Sequence, residues 1–169
     1  MSILIVDDEE IILQTLSAVL RRKGLTPVVE CDPVRAVRNY EQRPHNVVLV
    51  DVLMPGMNGV EVVRRVKRMN PLCNVIVMTA FSNMEHVVEC IEAGAVDYVT
   101  KPFTDLGVVT GIVLAAQERV ERWSRSFGID VVAGEVRPLK SVSDRGDQSA
   151  KGQQTAGTEE TRGPAGGGA

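Results

Sequence analysis

The hydrophobic residues of this chain are concentrated in five short runs along its first hundred positions. The runs occupy residues 3–6, 27–30, 47–50, 75–78 and 96–99. All five contain β-branched residues, which favour strands. Three are apolar throughout, a composition typical of strands that are covered on both faces of a parallel sheet. The pattern therefore predicts five strands.

The segments between these runs carry apolar residues at helical spacing. In the first segment, Ile12, Leu16 and Val19 fall on one helical stripe. Asp8 is expected to cap the start of this helix, and Gly24 to supply its stop. Because helices alternate with strands, the chain is predicted to be an α/β protein with a doubly wound, five-stranded parallel sheet in a three-layer sandwich.

Two later helices are expected to begin at capping-box-like pairs. Glu61 follows Asn58 by three residues, and Glu85 follows Ser82 in the same way. In such a pair the first side chain accepts a hydrogen bond from the backbone N–H three residues further on. The pairs therefore predict where the third and fourth helices begin.

The last predicted helix, residues 105–127, carries an apolar stripe spaced by three or four residues. Its members are Leu106, Val109, Val113, Ala116, Val120, Trp123 and Phe127. A helix of this length is about 35 Å long, whereas a six-residue strand is only about 20 Å long. Residues 121–128 are therefore expected to overhang the domain. We expect Val120, Trp123 and Phe127 to be poorly covered and to form a dimer or partner contact.

The composition changes after Phe127. No aromatic residue follows, and from Ser141 onward Val142 is the only large aliphatic residue. Such a segment cannot bury enough apolar surface to offset its ordering entropy. The sequence thus predicts a domain over residues 1–120, an overhanging helix end over 121–128, and a flexible, disordered tail over 129–169.

Charge and cysteine content narrow the possible partners and surroundings. With 19 Lys and Arg against 22 Asp and Glu, the net charge of −3 is too mild to indicate binding to nucleic acid or an anionic membrane, so protein partners are expected. Three widely spaced cysteines fit neither a disulfide framework nor a zinc site, and are expected to be buried thiols. His45 and His86 are taken as surface or loop residues. Lack of a leader or spanning segment predicts a cytoplasmic protein.

Polar residues follow four of the five predicted strands. Asp7 and Asp8 follow the first strand, Asp51 the third, Thr79 the fourth and Lys101 the fifth. In a doubly wound sheet, ligands bind beyond the carboxyl ends of the strands. Three carboxylates that converge there raise one another's pKa values and call for a cation. Mg2+ is favoured because it prefers oxygen ligands and commonly joins carboxylates to a phosphoryl group.

This set of residues resembles the response regulator receiver domain over roughly residues 1–120. The matching motifs are Asp7-Asp8, the segment 51–59 (DVLMPGMNG), Thr79-Ala80 and Lys101-Pro102-Phe103. The stretch 75–103 is most similar to receivers of enhancer-binding, nitrogen-regulation-type regulators. The resemblance implies a flavodoxin-like fold with strand order 2-1-3-4-5. Since no output domain is seen in this sequence, a stand-alone, single-domain receiver is expected.

The resemblance also implies a role for individual residues in phosphoryl transfer. Asp51 would accept a phosphoryl group from a phosphohistidine, and Lys101 and Thr79 would contact the transferred group. Tyr98 occupies the position of a switch residue whose ring turns inward after transfer. The peptide bond between Lys101 and Pro102 is expected to be cis.

The metal ligands implied by the resemblance are Asp8, Asp51 and the backbone carbonyl of Leu53, with Asp7 reaching Mg2+ through a water. The position of Leu53, two residues after Asp51, also disfavours a hydrolase, because hydrolases that form an aspartyl phosphate usually have a second Asp there. Together with Phe81, an apolar Leu53 predicts slow self-dephosphorylation.

The implied function is that of a two-component signalling protein. Its phosphoryl donor would be a sensor histidine kinase or a histidine phosphotransfer protein, and its output a downstream protein partner. It is not expected to be an enzyme beyond catalysing its own phosphorylation and dephosphorylation. A phosphate sink and a phosphate-independent binding module on the same fold remain alternatives.

Overall fold

The computed structural model describes residues 2–80, 84–132 and 135–138. The strands of its larger sheet are β1 (Ile3–Val6), β2 (Pro27–Glu30), β3 (Val47–Asp51), β4 (Asn74–Ala80) and β5 (Asp97–Lys101). All neighbouring strands are parallel and their order is β2-β1-β3-β4-β5. Both the five-stranded parallel sheet and its predicted strand order are confirmed.

Five helices cover the two faces of this sheet. They are α1 (Glu10–Arg22), α2 (Pro33–Gln42), α3 (Gly59–Met69), α4 (Met84–Glu92) and α5 (Leu106–Phe127). Alternate residues of β1 belong to different cores, because successive side chains of a strand point to opposite faces. Leu4 and Val6 pack in the core that receives α2, α3 and α4, whereas Ile3 and Ile5 pack in the core that receives α1 and α5.

The predicted helix ends are partly correct. The Asn58 side chain accepts a hydrogen bond from the Glu61 N–H at 3.0 Å, which confirms the start of α3. Gly24, with φ of +78°, follows the end of α1 as predicted. The prediction that Asp8 caps α1 is wrong, since the N-cap is Glu9 and its side chain makes no capping bond.

The structure places two polar features differently from expectation. His45 lies in the loop before β3, as one of its two predicted placements allows, but it is only 3% exposed and is therefore not a surface residue. Cys73 and Cys90 are buried as predicted, but Cys31 is exposed because it follows the end of the edge strand β2. The predicted cap residue Ser82 lies outside the described residues.

The end of α5 is more deeply buried than its sequence suggests. Val120 is 3% exposed, which contradicts its predicted exposure, whereas Trp123 is partly buried and Phe127 is 72% exposed. The apolar stripe therefore remains covered for one turn beyond Ala116. Within the described ranges, no helix combines the length and apolar character needed to span a bilayer.

A short hairpin follows α5 in the segment that the sequence assigned to a flexible tail. Ile129–Val132 (β6) pairs antiparallel with Glu135–Pro138 (β7). Gly128, in the left-handed conformation with φ of +60°, ends α5 and turns the chain into β6. Three of the four residues of β6 are β-branched, a composition that favours strands, whereas β7 has only Val136. Residues 139–169 lie outside the described residues.

Candidate functional site

The parallel sheet brings the predicted polar residues to one end of the molecule. Asp51 is the last residue of β3 and Lys101 the last of β5, while Asp7 directly follows β1. Thr79 lies next to Thr100 in the register of β4 and β5. Asp7 and Thr79 are fully buried and Asp51 is 7% exposed. The carboxyl end of the sheet therefore holds the buried acid and threonine side chains that sequence analysis selected.

Lys101 is the cation at the centre of this site. Its Nζ lies 2.8 Å from Asp7 Oδ2, 3.3 Å from Asp51 Oδ1 and 3.2 Å from Glu9 Oε1. Burial lowers the pKa of Lys101, but the carboxylates around it outweigh this effect and raise its pKa overall. The ammonium group therefore stays charged at neutral pH. The Lys101–Pro102 peptide bond is cis, as predicted.

The negative charges of the buried carboxylates are less fully balanced by nearby opposite charge than the positive charge of Lys101 is. Burial raises the pKa of Asp51 to about 6, because the charge of Asp7 adds to desolvation while Lys101 opposes both. Burial also raises the pKa of Asp7, against the hydrogen bonds from Lys101 and from the Glu9 N–H. One ammonium group thus faces several buried acids and cannot neutralise them all.

The acids lie close enough together to share a metal ion. One carboxylate oxygen from each of Asp7, Asp8 and Asp51 lies within 4.8 Å of the other two, and Asp8 is exposed to solvent. The donor set consists of oxygen alone, which fits a hard divalent cation rather than a metal that prefers sulfur. A cation here would favour the charged forms of the two acids whose pKa values are raised. The cluster therefore could hold a metal ion.

Thr79 and Tyr98 lie on β4 and β5, the strands next to the acid cluster. The Thr79 hydroxyl donates to the carbonyl oxygen of Ala80 at 3.1 Å. Tyr98 is 40% exposed, so its ring lies on the outside of β5 rather than turned inward behind Thr79. A groove of about 420 Å³ runs beside it and is lined in part by Phe103 and Val108. The predicted inward turn of Tyr98 remains a prediction.

Gly59 explains how α3 approaches the backbone that carries Asp51. Its N–H donates to the carbonyl oxygen of Val52 at 2.8 Å. A Cβ atom on this residue would overlap the backbone oxygen of Asp51 and lie 2.8 Å from Val52 Cα. Only glycine avoids this overlap, because it has no side chain. The motif glycine thus lets the helix start directly against the end of β3.

Three further residues bear on the site. Leu53 follows the end of β3, and its side chain is 49% exposed. Phe81 lies outside the described residues. Glu9 was not among the predicted site residues although it contacts Lys101. Its position directly after Asp7 and Asp8 was a signal, but the contact spans 92 positions and depends on the fold.

Comparisons with known proteins find similarity over the part of the chain that carries this site. A family model described as response regulator receiver domain matches residues 3–112. The chain is 40% identical over 102 residues to a cyclic di-GMP phosphodiesterase of Thermotoga maritima, a match that covers 60% of this chain and 27% of that protein. It is 32% identical over 111 residues to the chemotaxis protein CheY of Thermotoga maritima, covering 65% of this chain and 92% of that protein.

A solved structure, the BeF3-activated DrrB receiver domain, is also similar, at 32% identity. The match has a TM-score of 0.64 and covers 70% of this chain and 97% of the DrrB domain. The extent of the matches differs widely, since the chain spans 27% of the length of the phosphodiesterase but 92% of the chemotaxis protein. The similarity is therefore to a domain that occurs both within longer proteins and almost alone.

Proposed function

The chain belongs to the response regulator receiver domain family, and from that membership we propose that Asp51 accepts a phosphoryl group from a phosphohistidine. The donor would be a sensor histidine kinase or a histidine phosphotransfer protein. The chain is homologous to the chemotaxis protein CheY and to other response regulators, the phosphorelay proteins of two-component systems. The observation that carries the proposal is the contact of Lys101 with both Asp51 and Asp7 at one end of the sheet.

The transfer replaces one bond to phosphorus by another. A lone pair of an Asp51 oxygen forms the new P–O bond while the P–N bond to the donor imidazole breaks. The imidazole nitrogen keeps the bonding electrons and takes a proton from solvent. Lys101 already lies 3.3 Å from Asp51 and stays charged, so it can follow the developing charge on the phosphoryl oxygens. Such electrostatic positioning is most of what phosphoryl transfer requires.

We assign the metal of this site as Mg2+. Asp8, Asp51 and the backbone carbonyl of Leu53 would hold it, and Asp7 would reach it through a water. When bound, Mg2+ supplies positive charge to the phosphoryl oxygens and to the carboxylates. The oxygen-only cluster of Asp7, Asp8 and Asp51 supports this assignment.

Phosphorylation of Asp51 would change the protein surface through coupled movements of Thr79 and Tyr98. The Thr79 hydroxyl would turn from the carbonyl of Ala80 to a phosphoryl oxygen, and Tyr98 would move inward into the space that Thr79 leaves. Because Tyr98 lines the groove between β5 and α5, this movement would change the surface offered to a downstream protein. The protein would act in the cytoplasm, where such donors and partners meet.

In this proposal the chain catalyses only its own phosphorylation and dephosphorylation. A phosphate sink shares the same site, and a phosphate-independent binding module would leave Asp51 unmodified. The test is incubation with acetyl phosphate and Mg2+, followed by mobility shift and mass spectrometry. We expect one added phosphoryl group on the wild type and none on Asp51→Asn. A wild type that stays unmodified contradicts the proposal.

Pull-downs with and without beryllofluoride, a phosphoryl mimic, would separate a messenger from a sink. A messenger binds a further protein only with the mimic. Self-association through the last helix is a second proposal, now restricted to Trp123 and Phe127 because Val120 is buried. Light scattering that gives a monomer mass with and without the mimic would contradict this dimer.

A further inference from the structure

Lys101 contacts more carboxylates than the proposed transfer uses. Asp7, Asp51 and Glu9 each place an oxygen within 3.3 Å of its Nζ. A lysine ammonium has three N–H donors, and one of them donates to Glu9 Oε1. Glu9 is not part of the cluster of Asp7, Asp8 and Asp51 whose oxygens could hold a metal ion. The Glu9 carboxylate therefore contacts the site through its ion pair with Lys101.

The backbone of Glu9 is fixed while its carboxylate is free to contact the lysine. Its N–H donates to Asp7 Oδ1 at 3.0 Å. Glu9 is the N-cap residue of α1, yet its side chain makes no capping bond. The side chain is 57% exposed, against 12% for Lys101 and none for Asp7. Lys101 can therefore move away from Glu9 without leaving a buried carboxylate unpaired, because the Glu9 carboxylate is in contact with solvent.

We propose that Glu9 is a positioning residue that competes with the incoming phosphoryl group for Lys101 and so limits the rate at which Asp51 is phosphorylated. This inference rests on the proposed function. A phosphoryl group brings up to about two negative charges and three acceptor oxygens. Lys101 must turn one N–H from a carboxylate towards these oxygens. Glu9 holds such an N–H, and its own charge repels the anionic donor.

The test variant is Glu9→Gln, which keeps the length of the side chain and an oxygen acceptor but removes the charge. With acetyl phosphate and saturating Mg2+, Asp51 should be phosphorylated about twofold to fivefold faster than in the wild type at low ionic strength, the range expected for an exposed ion pair. The gain should shrink as salt is added, since salt screens exposed charges. The helix start is preserved because the Glu9 side chain caps nothing.

Glu10→Gln is the matched control. It removes the same charge from the adjacent position at the start of α1. The Glu10 carboxylate accepts a hydrogen bond from the Gln14 amide at 3.1 Å and belongs to no ion pair among the described residues. We expect this variant to be phosphorylated at the wild-type rate. If it is accelerated as much as Glu9→Gln, a general change of charge explains the effect and the proposal is wrong.

A second measurement needs neither metal nor phosphoryl donor. The Nζ resonance of Lys101, followed by 15N NMR in metal-free protein, should shift in Glu9→Gln and stay in place in Glu10→Gln. Calorimetric titration with Mg2+ should give Glu9→Gln an affinity within about twofold of the wild type, since this residue is not a proposed ligand. A larger change would mean that Glu9 acts through the metal, which overturns the proposal.

Phosphorylation of the wild type separates a failure of the proposed function from a failure of the role of Glu9. If the wild type is not phosphorylated at all, the proposed function is wrong. If the wild type is phosphorylated on Asp51 but Glu9→Gln is no faster, or if its Lys101 resonance does not shift, the proposed function survives. The role assigned to Glu9 is then wrong.

Discussion

The two ends of the central sheet both bury polar side chains, but they do so in different ways. At the amino ends of β3 and β4, Tyr40, His45, Asn70 and Cys73 form what we call the amino-end network. The Tyr40 hydroxyl donates to the His45 carbonyl oxygen at 2.9 Å, and the Asn70 amide donates to the Tyr40 hydroxyl at 3.4 Å. At the carboxyl ends, acids crowd around Lys101. One end buries neutral hydrogen-bonded groups, and the other buries charge.

The pKa values of the two ends reflect this difference. Burial lowers the pKa of His45 to about 4, so the imidazole is neutral at pH 7, and burial raises the pKa of the Cys73 thiol to about 11. At the other end, burial raises the pKa of Asp51 to about 6, which still leaves most of this group charged at pH 7. The amino-end network thus keeps its groups uncharged, whereas the acid cluster keeps charge buried at a cost in stability.

The largest expected effect is the loss of stability on truncating the amino-end network. Tyr40 is fully buried, so Tyr40→Ala should lower the free energy of unfolding by about 3–5 kcal/mol through the cavity it leaves. Tyr40→Phe, which removes only the hydroxyl, should lower it by about 1–2 kcal/mol. Urea denaturation measures both, and the milder variant remains informative if the first does not fold.

Asp51→Asn is the matching change at the carboxyl end. It removes a buried charge but keeps the shape of the side chain, so we expect it to stabilise the metal-free protein while abolishing phosphorylation. The proposed difference between the two ends would be wrong if Tyr40→Phe left the free energy of unfolding unchanged and Asp51→Asn lowered it.

The pH dependence of stability should have opposite signs at the two ends. The folded state disfavours protonated His45, so its contribution to stability is lost as pH falls from 6.5 to about 4. The folded state favours protonated Asp51, so stability is gained as pH falls from about 6 to 3.8. Each effect is on the order of 3 kcal/mol. In metal-free wild type the two should largely cancel.

Two variants separate these contributions in the presence of a chelator. Relative to the wild type, Asp51→Asn should lose stability between pH 6 and pH 4, because the protonation of Asp51 no longer offsets that of His45. His45→Gln should gain stability over the same range, because His45 then no longer opposes the protonation of Asp51 and Asp7. Urea midpoints at several pH values measure both trends. If the urea midpoints of the two variants change with pH in the same way, the opposite pKa shifts assigned to His45 and Asp51 are wrong.

The smallest expected effect is on the rate of dephosphorylation, in a variant whose stability should not change. Leu53 is 49% exposed, so Leu53→Asn should leave the free energy of unfolding nearly unchanged. Its amide can orient a water towards the phosphorylated Asp51, and one such hydrogen bond, worth about 1 kcal/mol, should shorten the lifetime of the phosphoprotein about fivefold. Combining it with Phe81→Glu should shorten the lifetime further.

The control for this change is Leu53→Ala, which opens space but offers no hydrogen bond. Decay of the phosphoprotein can be followed by mobility shift after the donor is removed. If Leu53→Ala shortens the lifetime as much as Leu53→Asn, access of water rather than its orientation limits hydrolysis. If neither variant does, the apolar residue at this position is not what slows dephosphorylation.

Much of the fold follows from patterns that are local in sequence. Apolar runs such as 3–6 and 47–50 predict strands because buried parallel strands need apolar side chains on both faces. The cap at Asn58 and the stop at Gly24 were predicted correctly because each involves residues a few positions apart. The motif residues at the strand ends were also predictable, since all carboxyl ends of parallel strands lie at one edge.

Other features depend on which surfaces meet. Val120 is buried although it was expected to be poorly covered, and His45 is buried within its loop, because burial is decided by the elements that cover a residue. Asp8 does not cap α1, because the helix begins after Glu9. The antiparallel hairpin after Gly128 lies in a segment for which a tail was expected.

By itself, the sequence determined the order of elements, the sheet they form and the set of acids, threonine and lysine at the strand ends. The tertiary structure alone decided how the charges are shared, namely that Lys101 reaches Asp7, Asp51 and Glu9 together. The physical reason is distance along the chain. Hydrophobic periodicity acts within a few residues, whereas an ion pair between residues 92 positions apart exists only when strand register and helix packing bring the two side chains together.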